Sequence, residues 1–432
     1  MAERPGTLDL LPRAFHVAWG WRVEGGLFVS SVVALRLAGR LGAGGDLLLV
    51  GLVVIVLWRV PGLRRFLAGL LRASAVRRRF ARALWLCGVV GPWGTHPVVR
   101  RVEVVPAGHR LIVQVPPGHH AGHLLTAATS LAAALRVREV RVLRSPTDAG
   151  LATVTVVRHD PFAATPSVAW PWATFERTSL WAPVPIGLDE DGHLVTVHLP
   201  EHNLLLGGEP GAGKSAALSL FVAAAALDPD VSLTLLDGKQ VELAGWADSA
   251  ERFVGPDMDE AALVLGDLRA EMDARYEHLL ATRRRKIEPA DGLALHVVVV
   301  DELAFYLRGG ERAVRNEVTE SFRDLVSRGR AAGIVVLAAT QKPSHEIVPT
   351  WIRDLFGFRM ALRCTTPESS DTVLGQGWAS QGFSAVVIDP AQRGVGFLLH
   401  EGGLPVKLRT FYLDDDQVAV LALRAGTLRG LL

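Results

Sequence analysis

Eight consecutive residues, Gly208, Glu209, Pro210, Gly211, Ala212, Gly213, Lys214 and Ser215, have the composition and spacing of a polyphosphate cradle. The glycines let backbone N–H groups turn inward around an anion, and a helix starting at the end of the loop adds its positive pole. Lys214 would reach the β- and γ-phosphates of ATP, and the Ser215 hydroxyl would ligate Mg²⁺. A second group follows at a distance. The run L-H-V-V-V-V-D-E, Leu295 to Glu302, places Asp301 eighty-seven residues after Lys214. Asp301 suits a partner of the Mg²⁺ one water removed, and Glu302 suits the carboxylate that polarises an attacking water. A third apolar run, Gly333–Thr340, ends in Thr340-Gln341, placed to sense the γ-phosphate if its strand lies between the other two. Together Lys214, Glu302 and Gln341 would catalyse phosphoryl transfer to water.

These groups need elements to aim them. Asn203–Gly207 is a short apolar strand that feeds the glycine loop, and a helix of Ala, Leu and Val follows. An unbroken apolar run such as Leu295–Val300 is the mark of a parallel strand buried on both faces. Open sheets of that kind bind ligands at their strand ends. Val184–Leu188 and His193–Leu199 flank the turn Asp189–Gly192 as a hairpin, so residues 184–432 are expected to form one α/β unit. Upstream, Val98–Val105, Arg110–Val115, a helix over 120–135, Val137–Leu143 and Leu151–Val157 predict a small ββαββ domain over 95–160. His119, His120 and His123 open that helix; with no acidic or cysteine partner nearby they read as a helix-start cluster, not a metal site. Residues 161–183, rich in Pro and Trp, read as a linker.

The chain has 432 residues, 49% apolar and 21% charged, with a mean hydropathy of +0.27, which excludes a disordered or fibrous protein. Cys87 and Cys364 are its two cysteines, so a disulfide scaffold and a cysteine-based zinc module are excluded as well. Arginine outnumbers lysine forty-one to five, which reads as codon bias of a GC-rich genome. The net charge of +2 hides an asymmetry. Residues 1–85 hold thirteen Arg against four acids, and the remainder holds 33 basic against 40 acidic residues. Within that arm, Leu47–Trp58 is uncharged and can be extended back through Leu41, and arginines cluster directly behind it. That is the positive-inside pattern. One or two membrane segments are expected in residues 1–85, placing the chain at the cell membrane with the remainder in the cytoplasm.

Five segments in order resemble the FtsK/SpoIIIE family of DNA-pumping ATPases, specifically its shorter actinobacterial relatives in conjugative elements. They are the ββαββ unit, which resembles the small domain that precedes the family's motor, the entry to the phosphate loop from Val184, L-D-G-K-Q-V-E-L (Leu236–Leu243), A-E-M-D-A-R-Y (Ala270–Tyr276), and S-R-G-R-A-A-G-I-V-V-L-A-A-T-Q-K-P-S (Ser327–Ser344). One segment departs from the family, Gly377–Leu399, where a glycine-rich stretch is expected.

The resemblance implies a RecA-like P-loop ATPase core, an ATP- and Mg²⁺-dependent motor, and a ring-shaped homo-oligomer, expected to be a hexamer, around double-stranded DNA. The role implied is transfer of a conjugative plasmid or integrative element, or chromosome partitioning. It also implies an arginine acting across a subunit boundary, for which Arg328, Arg330, Arg359 and Arg363 are candidates. Arg283-Arg284-Arg285-Lys286 is the densest basic run outside the arm, a DNA-phosphate contact or a solvated helix end. Few residues follow Asp416, so choice of DNA sequence is expected to belong to a separate partner. Two alternatives stand beside this reading: a membrane-associated ATPase of the same family driving protein secretion, and a nucleotide-dependent membrane switch that does not pump.

Overall fold

The computed structural model describes residues 59–89, 95–163, 167–341, 343–344 and 349–432, together with Ser30. The candidate membrane segments, including Leu47–Trp58, lie outside the described residues. Among those described, no helix is long and apolar enough to cross a membrane. The chain divides into two units, Met1–Asp160 and Pro161–Leu432.

In the first unit, helix α1 (Pro61–Leu86) precedes strands β1 (Val98–Val105) and β2 (Gly108–Gln114), helices α2 (Ala121–Thr126) and α3 (Ala128–Leu135), and strands β3 (Glu139–Arg144) and β4 (Leu151–Val157). The strands form one antiparallel sheet in the order β1-β2-β4-β3. Alternation puts Leu111, Val113, Val140, Val142, Val154 and Val156 on one face, where they pack with Leu124, Leu131 and Phe80. The single helix expected over 120–135 is instead two, broken at Ala127. Here the Thr126 hydroxyl donates back to the Gly122 carbonyl at 3.1 Å, a side-chain bond of the type that bends helices. The histidines start α2: His120 Nδ1 accepts the Gly122 N–H and His123 Nδ1 accepts the His120 N–H.

The second unit is built on ten strands: β5 (Val184–Asp189), β6 (Leu194–Val197), β7 (Leu204–Gly207), β8 (Val231–Asp237), β9 (Arg252–Val254), β10 (Leu295–Asp301), β11 (Ile334–Thr340), β12 (Phe358–Leu362), β13 (Val395–His400) and β14 (Val406–Thr410). They form one mixed sheet, β6-β5-β14-β13-β12-β7-β11-β10-β8-β9. The block from β12 to β9 is parallel, and β13, β14, β5 and β6 extend it antiparallel. Every residue of β10 and β11 is buried. Their side chains alternate between two cores, Val297 and Val299 with Leu337 on one face, Val298 and Val300 with Val336 on the other. This is why these strands read as unbroken apolar runs.

Helix α4 (Lys214–Ala226) lies on the first face, and helices α5 (Met258–Thr282), α6 (Leu303–Arg308) and α7 (Arg312–Arg328) contribute to the second core. Short α8 (Thr350–Arg353) and α9 (Pro367–Leu374) flank β12, and α10 (Asp415–Leu428) ends the described chain against α4. The Pro/Trp-rich segment is part of this unit's core. Trp170 is buried and its indole N–H donates to the Pro185 carbonyl at 2.9 Å, while the Leu180 N–H donates to buried Asp228.

Candidate nucleotide site

The parallel block brings the three chemical groups to one edge. β11 pairs with β7 on one side and β10 on the other, so Thr340 stands beside Gly207 and Asp301 ends the neighbouring strand. The phosphate loop, 208–213, leaves β7 and enters α4 at Lys214. Gly213 has φ +98 and lies so near the loop at Gly394 that a Cβ would come 2.6 Å from the Gly394 nitrogen. Only glycine fits there. The Gly394 N–H donates to the Ala212 carbonyl at 2.9 Å. The Gly377–Leu399 segment that departs from the family pattern therefore holds the phosphate loop of its own chain.

Lys214 is buried, and its ammonium donates to the Gly208 and Glu209 carbonyls at 2.8 and 3.0 Å. Burial pushes its pKa below the ordinary lysine value, while the Glu302 and Asp301 charges draw it back up. The loop also carries its own acid. Glu209 is ion-paired with Arg363, and its N–H donates to the Arg363 carbonyl at 2.9 Å.

Asp301 is 4% exposed and its Oδ2 makes no hydrogen bond. Burial, reinforced by Asp237 and Glu242, pushes its pKa up to about 6. A buried carboxylate oxygen without a donor is costly. Beside a phosphate loop and the Ser215 hydroxyl, such an oxygen is what a divalent cation would satisfy. The residues present fit Mg²⁺.

Glu302 adopts the left-handed conformation, φ 57°, unusual for a residue with a side chain. The turn points its carboxylate at the neighbouring strand end. Thr340 Oγ1 donates to it at 3.2 Å, and the Gln341 N–H lies 3.3 Å from its Oε2. Lys239 Nζ is 3.6 Å from the same oxygen. That lysine comes from the loop after β8, which Asp237 folds by accepting the N–H groups of Lys239, Gln240, Val241 and Leu243. Asp237 and Lys239 belong to the stretch Leu236–Leu243, quoted above only for its resemblance. A mostly apolar strand, V-S-L-T-L-L, ending in Asp was the available sign of Asp237.

The cleft beside the loop has a volume of about 600 Å³. Lys214, Ser215 and Gln341 line it together with Arg393, Arg409 and Tyr412. The last three come from antiparallel strands and loops nearly two hundred residues downstream, with no local motif to announce them. Ser215 and Gln341 thus sit with Lys214, Asp301 and Glu302 at one edge.

The arginine candidates separate. Arg363 is engaged at its own phosphate loop. Arg359 is largely buried, lies 3.5 Å from Asp354, and has its pKa lowered by burial. Arg328 and Arg330 precede β11 and lie at the opposite sheet edge, roughly 20 Å away over the seven residues of that strand. Arg328 is exposed and pairs with Asp324 and Asp273, and Arg330 with Glu401. The basic run sits in the turn after α5, where Arg284 pairs with Asp291 and Lys286 with Glu201.

The FtsK/SpoIIIE family model matches residues 173–395. The DNA translocase FtsK of Haemophilus influenzae is 27% identical over 366 residues, covering 75% of this chain and 66% of its own length. The DNA translocase FtsK of Lactiplantibacillus plantarum is 29% identical over 260 residues, 54% of this chain and 31% of its own. The chain thus spans between about a third and two thirds of these relatives. Among solved structures, the pCW3 conjugation coupling protein TcpA, in its monomer form with ATPγS, superposes with a TM-score of 0.55 at 18% identity, over 82% of this chain and 99% of that one. ATPases 2 and 3 of EssC from Geobacillus thermodenitrificans superpose with a TM-score of 0.51 at 13% identity, over 62% of this chain and 51% of that one. At these identities the likeness is one of fold.

Proposed function

The chain belongs to the FtsK/SpoIIIE family, and from that premise we propose that it is an ATPase that moves double-stranded DNA. The observation that carries the ATPase part is the convergence of Lys214, the unbonded Asp301 oxygen and the Glu302 carboxylate at adjacent strand ends. Backbone N–H groups of Gly211, Gly213, Lys214 and Ser215 bind the phosphates, and the Lys214 ammonium exchanges its two carbonyl partners for phosphate oxygens. Glu302 takes a proton from the attacking water, and Thr340 and Gln341 hold that carboxylate in place. Ser215 and Asp301 would hold Mg²⁺, which supplies charge neutralisation at the phosphates when bound.

The DNA part rests on family membership. We read the oligomer as a ring, with six subunits as the expectation, because the far edge presents Arg328 and Arg330 where an adjacent copy's nucleotide could be met. The settings are transfer of a conjugative element or chromosome partitioning, at the cell membrane through the N-terminal arm. Sequence choice on DNA is assigned to a separate partner, because phosphate contacts carry little sequence information.

The test is Mg²⁺-dependent ATP hydrolysis with and without duplex DNA. Hydrolysis should rise with DNA. Glu302→Gln should keep ATP binding within a few-fold while turnover falls about 10²–10⁴-fold, the usual worth of a general base. Equal turnover in the variant and the wild type would remove Glu302 from this role. Hydrolysis indifferent to DNA would overturn the motor reading.

A further inference from the structure

Helix α1 carries two apolar rows, and the fold uses one of them. In its C-terminal half, Phe80, Ala83 and Leu84 are buried in the core of the first unit. In its N-terminal half, Leu63, Phe66, Leu67, Leu70 and Leu71 stand at i, i+3, i+4, i+7 and i+8, a single face. At about 100° per residue, this row is turned by about a third of a circle from the buried one. Packing that satisfies the second row leaves the first outside. Leu63, Phe66, Leu70 and Leu71 are 36%, 63%, 37% and 39% exposed.

The charge on the same helix is all of one sign. Residues 61–86 contain seven arginines and no acid. Arg65, Arg72 and Arg79, spaced by seven, run along the back of the exposed row, with Arg64 at its flank. An ordinary solvated helix mixes signs for i,i+4 pairing, and this one cannot. A nucleic acid would satisfy the arginines and leave Phe66 and its neighbours in water. An anionic lipid surface satisfies both, taking the apolar row at the acyl boundary and the flanking Arg64 at the phosphates, while its negative potential attracts the arginines on the water-facing back. The uncharged run Leu47–Trp58 ends three residues before α1 begins.

We infer that residues 61–73 of α1 lie in the plane of an anionic membrane surface, with Leu63, Phe66, Leu70 and Leu71 toward the lipid. This deepens the membrane part of the reading above and is independent of the nucleotide chemistry.

The test uses the full chain with Cys87 and Cys364 replaced by Ala and one environment-sensitive fluorophore, at Phe66→Cys, Leu70→Cys, Arg65→Cys or Arg72→Cys. Vesicles are phosphatidylcholine with or without about a third phosphatidylglycerol. With the anionic vesicles, emission at positions 66 and 70 should shift to the blue and rise about threefold, while positions 65 and 72 stay aqueous. Pure phosphatidylcholine should give a much smaller response. Equal responses at 65 and 66 would overturn the proposal, as would a label at 66 already sheltered before vesicles are added, which would mean that the chain itself or a second copy covers the row. A label at 66 that ignores lipid while duplex DNA shelters 65 and 72 would hand the helix to nucleic acid. Phe66→Glu with Leu70→Glu, read by a label at 63, should abolish the lipid signal while ATP binding persists. Failure of ATP binding in the unlabelled chain would count against the motor alone.

Discussion

The two edges of the parallel block are made of the same strands and behave in opposite ways. At the C-terminal edge the charged groups are withdrawn from solvent, and one of them is left unsatisfied. Asp301 has a bare oxygen, Lys214 rests on loop carbonyls, and Glu302 sits in a left-handed turn. At the N-terminal edge Arg284 and Arg328 are exposed, Lys286 and Arg330 half-exposed, and all four are already matched with acids of their own chain. Unsatisfied charge in a low-dielectric pocket is expensive and signals a missing ligand. Satisfied surface charge costs little and exchanges partners easily. One edge is therefore built to bind a small polyanion tightly, and the other to form contacts that can be made and broken.

Removing Asp301 should give the largest effect. Asp301→Asn should abolish Mg²⁺-dependent hydrolysis and at the same time stabilise the metal-free chain. The direction follows from the raised pKa. The stability associated with the protonated acid is fully present below about pH 4 and lost as pH rises through about 6. Asparagine mimics the protonated form, so the variant should exceed wild type by on the order of 2–3 kcal/mol at pH 8, with the gap closing towards pH 4. Calorimetric melting across that range without Mg²⁺ measures it. A variant no more stable at pH 8 would show that Asp301 is not strained.

A mid-sized effect is expected at Arg363. Its pairing with Glu209 makes it a neutraliser of the loop's own acid. Arg363→Ala should weaken ATP binding about tenfold, by leaving a bare carboxylate at the phosphates, and Glu209→Gln in the same chain should restore it. Titration with a fluorescent ATP analogue reads this directly. Lost turnover with intact binding and no rescue would return Arg363 to the candidates for action across a subunit boundary.

The smallest effect belongs to the far edge. Arg328→Ala should change the stability of the chain by less than about 1 kcal/mol, as surface ion pairs usually do. A loss above about 2 kcal/mol in a urea melt would erase the contrast between the edges.

Much of the nucleotide site was legible because its parts are local. A glycine loop after a strand, or an apolar run ending in two acids, is one element and its tip. The place of β11 between β7 and β10 could be stated only as a condition, since strand order is a tertiary fact. Lys239 reaches Glu302, and Arg393 and Tyr412 reach the cleft, through register and crossover, which no window of sequence contains. Arg363 looked equivalent to Arg328 because a spacing cannot tell which edge of a sheet an arginine occupies. The break at Ala127 was hidden by alanine's helix preference, overridden by one hydroxyl.

Helix α4 has a mechanical consequence. Six of its thirteen residues are alanine, and eleven are buried, so it is a thin rod clamped between the sheet and α10. A clamped rod transmits rotation instead of absorbing it. Its first residue is Lys214, so a displacement of α10 reaches the phosphate cradle as a change of aim. An added methylene along the rod would act as a wedge, moving both ends at once.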